Sequence, residues 1–260
     1  MEIFHIGSGD RKLVSVFYPA NDLIERKTGI VICHPLGHEY TRFYQAVTAL
    51  AKELSEQGYN TFKFDYYATG DSYGDDGALD VASARDDLSA VVEEMRQGIA
   101  IERVCVIGIR FGSLIAAISA DDVRADSLVL WNPLFSGTSY LEEISANEDE
   151  IRKQTLVVPN KNYGFECFGY LYGDKFIADL NRFDLSLLKP ATAKDILLLA
   201  DREVFASRDV TAFDLFKNSQ LTCSENATSQ YWFKRFGEQS KSLVPTQEIR
   251  KIITWLEQIV

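Results

Sequence analysis

The chain has 260 residues, 46% of them hydrophobic and 25% charged, the proportions of a globular protein and not of a disordered or membrane-embedded one. Thirty-eight acidic against 27 basic residues give a net charge of −11, which argues against a nucleic-acid partner because such a partner needs a basic face. No apolar run reaches the length of a membrane span, and Gly7, Ser8, Gly9 and Asp10 interrupt the stretch where a signal peptide needs continuous apolar residues.

The four cysteines, Cys33, Cys105, Cys167 and Cys223, are scattered, and two lie inside apolar runs. They read as free thiols of a reducing compartment, so a cytoplasmic location is expected. No Pro/Gly/Ser linker divides the chain, which predicts one core with an inserted segment.

In chain order, Ile3 to Ile6 and Leu13 to Tyr18 flank a Gly-Ser-Gly-Asp turn and read as a hairpin. Gly29 to Cys33 is a short, fully apolar run of the kind a buried central strand needs, and it stops at His34-Pro35. Phe43, Val47, Leu50, Ala51 and Leu54 share one face at helical spacing, with Gly58 as the closing residue. Asn60 to Asp65 reads as a strand, the side chains from Val81 to Met95 as a helix, and Arg103 to Ile107 as a further strand. Gly108-Ile-Arg-Phe-Gly112 then runs straight into an apolar helix, and Ser127 to Trp131 is a strand again.

After Asn132-Pro133 the alternation weakens. Residues 138–188 are rich in aromatics, among them Tyr140, Tyr163, Phe165, Phe168, Tyr170, Tyr172, Phe176 and Phe183. This stretch reads as a lid or cap inserted between sheet strands, or as a helical subdomain with its own small core. The expected division is a core of residues 1–137 and 189–260 with a lid over 138–188. The pattern resumes with a strand at Asp195 to Ala200, a helix near Val210 to Phe216, a strand near Gln220 to Ser224 and an amphipathic helix after Pro245. Strands alternating with amphipathic helices specify an α/β fold, a mostly parallel sheet covered on both faces.

The Gly-x-x-x-Gly turn between a strand and a helix has the frame of the nucleophile elbow of α/β-hydrolases, with Arg110 at its centre. Four stretches extend the likeness: His34-Pro-Leu-Gly-His-Glu-Tyr-Thr-Arg42, Phe64-Asp-Tyr-Tyr-Ala-Thr-Gly-Asp-Ser72, Gly108 to Gly112 and Leu130-Trp-Asn-Pro133. On these the chain resembles a bacterial branch of α/β-hydrolases described as serine-aminopeptidase-like or exosortase-associated hydrolases, also found beside natural-product assembly lines. The resemblance spans nearly the whole chain. It implies an α/β-hydrolase fold with the inserted aromatic-rich lid, and an Arg elbow as a feature of the group.

The usual triad needs a late histidine to take the nucleophile's proton. The histidines here are His5, His34 and His38, and the segment from Phe236 to Pro245 offers none. The acid position after the late strand is matched by Asp201 or Glu203. Arg110 can be neither base nor nucleophile, but its planar fork suits a carboxylate, phosphate or enolate oxygen. Alternatively, Asp65, Asp71 or Glu39 ties it down as a plug.

His34 is the candidate replacement acid/base facing Arg110, and also a candidate for merely holding its loop. His38, Glu39, Asp65, Tyr66, Phe111, Asn132 and Asp201 are the candidate substrate-binding residues. His34, His38 and Glu39 have a metal-like spacing, but Pro35 and Gly37 argue against the helix that would give it meaning, so neither a metal nor another cofactor is expected. Asp71 and Ser72 read as loop or cap residues, Ser113 as a hydroxyl pointing away from the pocket, and a Cys33–His34 dyad is disfavoured by strand alternation.

Three functional readings follow. The first is an enzyme acting on, or a protein binding, an acyl or carboxylate-bearing small molecule, free or carrier-bound, without a Ser-His-Asp triad. The second is a catalytically inactive pseudo-hydrolase serving as a binding or partner module. The third is an esterase or thioesterase whose nucleophile lies elsewhere.

Overall fold

The computed structural model describes residues 1–154, 165–226 and 244–259. Strands β1 (Glu2–Ser8) and β2 (Arg11–Tyr18) form the N-terminal hairpin. Then follow β3 (Thr28–Cys33), α1 (Gly37–Glu56), β4 (Asn60–Phe64), α2 (Val81–Gly98), β5 (Arg103–Ile109), α3 (Phe111–Ser119) and β6 (Ser127–Trp131). Next come α4 (Gly137–Gln154), the short pair β7 (Phe165–Cys167) and β8 (Tyr170–Tyr172), and α5 (Asp174–Arg182). The chain returns to the sheet through β9 (Asp195–Asp201), α6 (Arg202–Ser207) and β10 (Gln220–Asn226), and α7 (Thr246–Ile259) follows.

One eight-stranded sheet runs in the order β1-β2-β4-β3-β5-β6-β9-β10. Pairing is antiparallel for β1–β2 and β2–β4 and parallel elsewhere. The five central parallel strands are buried on both faces, which is why β3, β5, β6 and β9 read as near-continuous apolar runs; β4 is equally buried but carries Asn60, Thr61 and Lys63. Phe43, Leu50 and Leu54 of α1 pack with Ile249, Ile252 and Leu256 of α7 on one face of the sheet. Leu88, Val91 and Val92 of α2 and Leu114 and Ile115 of α3 cover the other.

Among the described residues, the elements between β6 and β9 share the main core and do not build a separate one. Tyr140 and Ile144 of α4, Cys167 and Tyr172 of the hairpin, and Phe176 and Leu180 of α5 are buried in the same apolar cluster as α2 and α3. Tyr163 lies outside the described residues.

Two local expectations are corrected. The helix near Val210 to Phe216 is a pair of three-residue 3-10 turns, Val210–Ala212 and Asp214–Phe216, and the preceding α6 is a helix the pattern did not reveal. Phe213 separates the turns in extended conformation, and its ring packs against Phe135 and Phe216. The second correction concerns α1. It reaches back to Gly37 and takes His38 and Glu39 into its first turn, because Pro35 falls before the helix and breaks no hydrogen bond within it. His34 stays in the loop, so His34 and His38 still do not share a helical face. No helix among the described residues is long and apolar enough to cross a membrane.

Candidate functional site

The turn from β5 into α3 is tight enough to demand both its glycines. A Cβ on Gly108 would lie 2.4 Å from the Gly112 carbonyl oxygen, and one on Gly112 would lie 2.1 Å from the carbonyl oxygen of Cys33 at the end of β3. Between them Arg110 sits at φ 53° and ψ −116°, a strained backbone conformation for a residue with a side chain. Its N–H donates to the Trp131 carbonyl at 3.0 Å, which ties the turn to β6.

A guanidinium above a helix N-terminus meets the partial positive charge of the unpaired N–H groups, so it needs carboxylates around it. Glu39 supplies the first. Arg110 Nε and Nη2 both donate to Glu39 Oε1 at 2.9 Å. Glu143 of α4 supplies the second, accepting from Nη2 at 2.8 Å. The Tyr140 ring lies 5.4 Å from the guanidinium carbon, and its hydroxyl donates to Glu39 Oε2 at 3.3 Å. The Glu39 side chain is fully buried and that of Arg110 is 9% exposed, whereas Glu143 is 40% exposed. Burial pushes the Glu39 carboxyl up and Arg110 opposes it; for Arg110, burial alone would lower its pKa, but the two carboxylates outweigh it and hold the charge firmly. Of the three acids expected to tie Arg110 down, Glu39 does so. Glu143 was not foreseen; its only sequence trace is that Tyr140 and Glu143 lie one helical turn apart.

His34, Asp65 and Tyr66 meet at a different place. They line a cavity of about 360 Å³ between the loop after β3, the loop after β4 and the β7–β8 hairpin, and Arg110 is not among its walls. Asp65 accepts from the Tyr40 hydroxyl at 2.8 Å and from the Asp71 N–H at 3.0 Å. Burial pushes the Asp65 carboxyl up while these donors pull it down. The His34 ring packs edge-on against Tyr40, and its buried Nδ1 has no hydrogen-bond partner among the described residues. Tyr40, Tyr170, Tyr172 and Phe176, none of them predicted as site residues, complete the aromatic part of the wall.

The remaining candidates are dispersed. His38 packs against the Phe168 ring at 4.0 Å. Phe111 is fully buried in the core between Tyr66 and Phe176. Asn132, at φ 44°, accepts from Asn226 Nδ2 at 2.7 Å, and Asp201 ends β9 at the cap of α6. Ser113 is buried with its hydroxyl donating to the Arg110 carbonyl at 2.6 Å. Burial also lifts the Cys33 thiol to about 12, which leaves no thiolate for a dyad with His34. Ser72 donates to the Asp65 carbonyl, a loop-holding bond. Glu238 to Ser242, in the segment searched for a late base, lie outside the described residues. Among the described residues no group of three or more His, Cys, Asp and Glu side chains could hold a metal ion.

Burial, with a contribution from nearby Lys63, drives the His34 pKa down to about 3. The folded protein therefore resists protonating this residue while the unfolded chain takes the proton near its ordinary pKa of ~6.5. Between those values stability falls with falling pH, by about 1.4 kcal/mol per unit from this group alone. Urea unfolding at pH 7 and pH 5 is expected to show a loss in the wild type that is about 2 kcal/mol larger than in His34→Gln.

The model of the serine aminopeptidase S33 family matches residues 25–233. The chain belongs to this family of hydrolases. A comparison with curated proteins finds no match. Among solved structures, the chain is similar to Est1E from Butyrivibrio proteoclasticus with ferulic acid bound, at 18% identity and a TM-score of 0.63 over 98% of this chain and 99% of that one. It is also similar to a proline iminopeptidase from Mycobacterium smegmatis, at 14% identity and 0.63 over 99% and 98%. A serine hydrolase without lid from Xanthomonas campestris aligns at 16% identity and 0.57 over 99% and 92%. At these identities the likeness establishes the α/β-hydrolase fold.

Proposed function

We propose that this member of the family does not run a Ser-His-Asp reaction and instead binds a small molecule in the cavity beside His34. The observation that carries this reading is the pair of carboxylates that hold Arg110. Two carboxylates already neutralise the guanidinium at the position where the fold places a nucleophile, and the side chain has no proton to give up at any ordinary pH. The three histidines all precede residue 39, so no imidazole follows the elbow in the sequence to activate a serine placed there. The segment 138–188 acts in this reading as a cover: α4 locks over the elbow through Glu143, and the β7–β8 hairpin roofs the cavity.

A second reading keeps Arg110 as the anchor of an acyl or carboxylate-bearing ligand, free or carrier-bound, with His34 as acid/base. The half-exposed Glu143 favours it, because a ligand carboxylate could take that partner's place while Glu39 stays. The first reading is preferred because two carboxyl groups already occupy the guanidinium, so an anion has to displace one of them. Incubation with a fluorophosphonate probe followed by intact-mass measurement separates both from an esterase with a nucleophile elsewhere. No adduct is expected; a stoichiometric adduct on a serine would defeat both readings.

A further inference from the structure

We propose that the cavity beside His34 binds the ammonium group of an organic amine. The inference rests on the reading of that cavity as the ligand site and names the chemistry it selects. Four independent features of the wall point the same way.

The first is charge. Asp65 and Asp76 line the cavity, and among the described residues no Lys or Arg does. The loop that forms this wall, residues 65–80, contains Asp65, Asp71, Asp75, Asp76 and Asp80 and no basic residue. Lys63 stands two residues before Asp65 but does not line the cavity: its ammonium donates to Thr48 Oγ1 at 3.0 Å and lies 4.0 Å from the Tyr44 ring centre, and its charge reaches Asp65 and His34 as one cation against the two lining carboxylates. An anion entering here meets carboxylates, and a cation is attracted to them.

The second feature is the set of rings. Tyr40, Tyr66, Tyr170, Tyr172 and Phe176 line the same space, and an aromatic wall attracts a partly desolvated cation through its ring faces. The third is a pair of buried polar atoms without partners. Tyr172 Oη and His34 Nδ1 belong to residues that are 6% and 2% exposed, and both residues line the cavity. Leaving such atoms unpaired is costly, so a ligand that satisfies them is favoured. His34 stays neutral, so with its proton on Nε2 the Nδ1 atom is an acceptor, and the Tyr172 hydroxyl oxygen is another. An alkylammonium group brings N–H donors for these two acceptors, and its charge is drawn to the nearby carboxylates.

The fourth is size. A cavity of about 360 Å³ suits a small ligand, and Thr41 and Tyr170, two exposed residues of its wall that meet at 2.6 Å through their hydroxyls, lie on its solvent side. Thr41 is exposed on α1, so a larger side chain there can block the entrance without touching the core.

The test compares three probes of one shape and different charge on the full-length protein: benzylamine, which is protonated at pH 7, benzyl alcohol and benzoate. Titration calorimetry is expected to give benzylamine at least a tenfold preference over benzyl alcohol, with benzoate undetectable. Thr41→Trp is expected to abolish benzylamine binding with the thermal unfolding midpoint retained. Tyr172→Phe, which removes a hydroxyl without a hydrogen-bond partner among the described residues, is expected to fold as well as the wild type and to bind benzylamine several-fold more weakly. Equal affinity for benzyl alcohol, or tighter binding of benzoate, would overturn the inference while leaving the cavity as the ligand site. Unchanged benzylamine affinity in Tyr172→Phe would overturn the acceptor role of that hydroxyl. If no probe binds the wild type, the inference and the reading of the cavity both fail.

Discussion

Arg110→Met is expected to destabilise the protein by about 3–5 kcal/mol, the range for removing one partner of a buried ion pair. The loss comes from what is left behind. Glu39 is fully buried, and without the guanidinium its carboxylate keeps only the Tyr140 hydroxyl among the partners described above. Glu143, being 40% exposed, turns to water at little cost. The double variant Arg110→Met/Glu39→Gln removes both charges and is expected to regain most of the stability, since a neutral amide costs far less to bury than an unpaired carboxylate. Urea unfolding of the wild type, Arg110→Met, Glu39→Gln and the double variant closes the cycle. A single variant within about 1 kcal/mol of the wild type would mean that Glu39 is protonated in the folded protein, so that the pair is a hydrogen bond between neutral acid and cation.

The second large effect is at Gly112. Adding one methyl group in Gly112→Ala brings a Cβ to 2.1 Å from the Cys33 carbonyl oxygen and 2.8 Å from that of His34, both backbone atoms that cannot rotate away. Either α3 or the end of β3 must shift, and both are pinned by the sheet, so a loss of about 3 kcal/mol or more is expected. A thermal shift assay measures it. The same shift would move the loop that holds His34, so the cavity beside it is expected to lose its probe binding even where the variant still folds. Retention of the wild-type midpoint would show that the elbow has room the geometry denies.

These two predictions concern the part of the molecule that the sequence displays best. Val31, Ile32, Val106, Ile107 and Leu128 to Leu130 sit in strands covered on both sides, so their apolar runs are a direct imprint of burial. Gly108 and Gly112 are legible for a related reason: each position admits no side chain, and the two bracket the three residues centred on Arg110 at the strand–helix junction. The site is less legible because its contacts are set by how the insertion docks. Glu143 is 33 residues from Arg110 in the chain, and nothing in the local pattern of α4 says that it reaches the elbow. The cavity wall depends on β7 and β8, strands of three residues each, too short to show a period. Phe111 reads as a pocket residue from its place beside Arg110, yet the helix begins there and its ring enters the core between Tyr66 and Phe176. His34 and Arg110 look like partners in the linear order, whereas they belong to two neighbouring constellations, one an ion-pair cluster and the other a cavity.

The separation of these constellations gives the elbow its meaning. The strained turn, the two close-packed glycines and the strand–helix junction are those of a hydrolase, and the chain belongs to a hydrolase family. At its centre stands a cation clamped between α1 and α4. In the proposed reading the frame of the reaction is retained as a joint between the sheet and the insertion, and ligand binding has its seat beside it.

The most direct test of that account is turnover of a p-nitrophenyl ester by Arg110→Ser combined with Glu39→Gln, the second change removing the charge that Arg110 would otherwise leave unpaired. Restoring a serine to the elbow supplies the nucleophile but not the base. The account predicts hydrolysis no faster than in buffer, for this variant and for the wild type alike. Robust turnover by the double variant would contradict it, because some group in the protein would then be deprotonating a serine at residue 110.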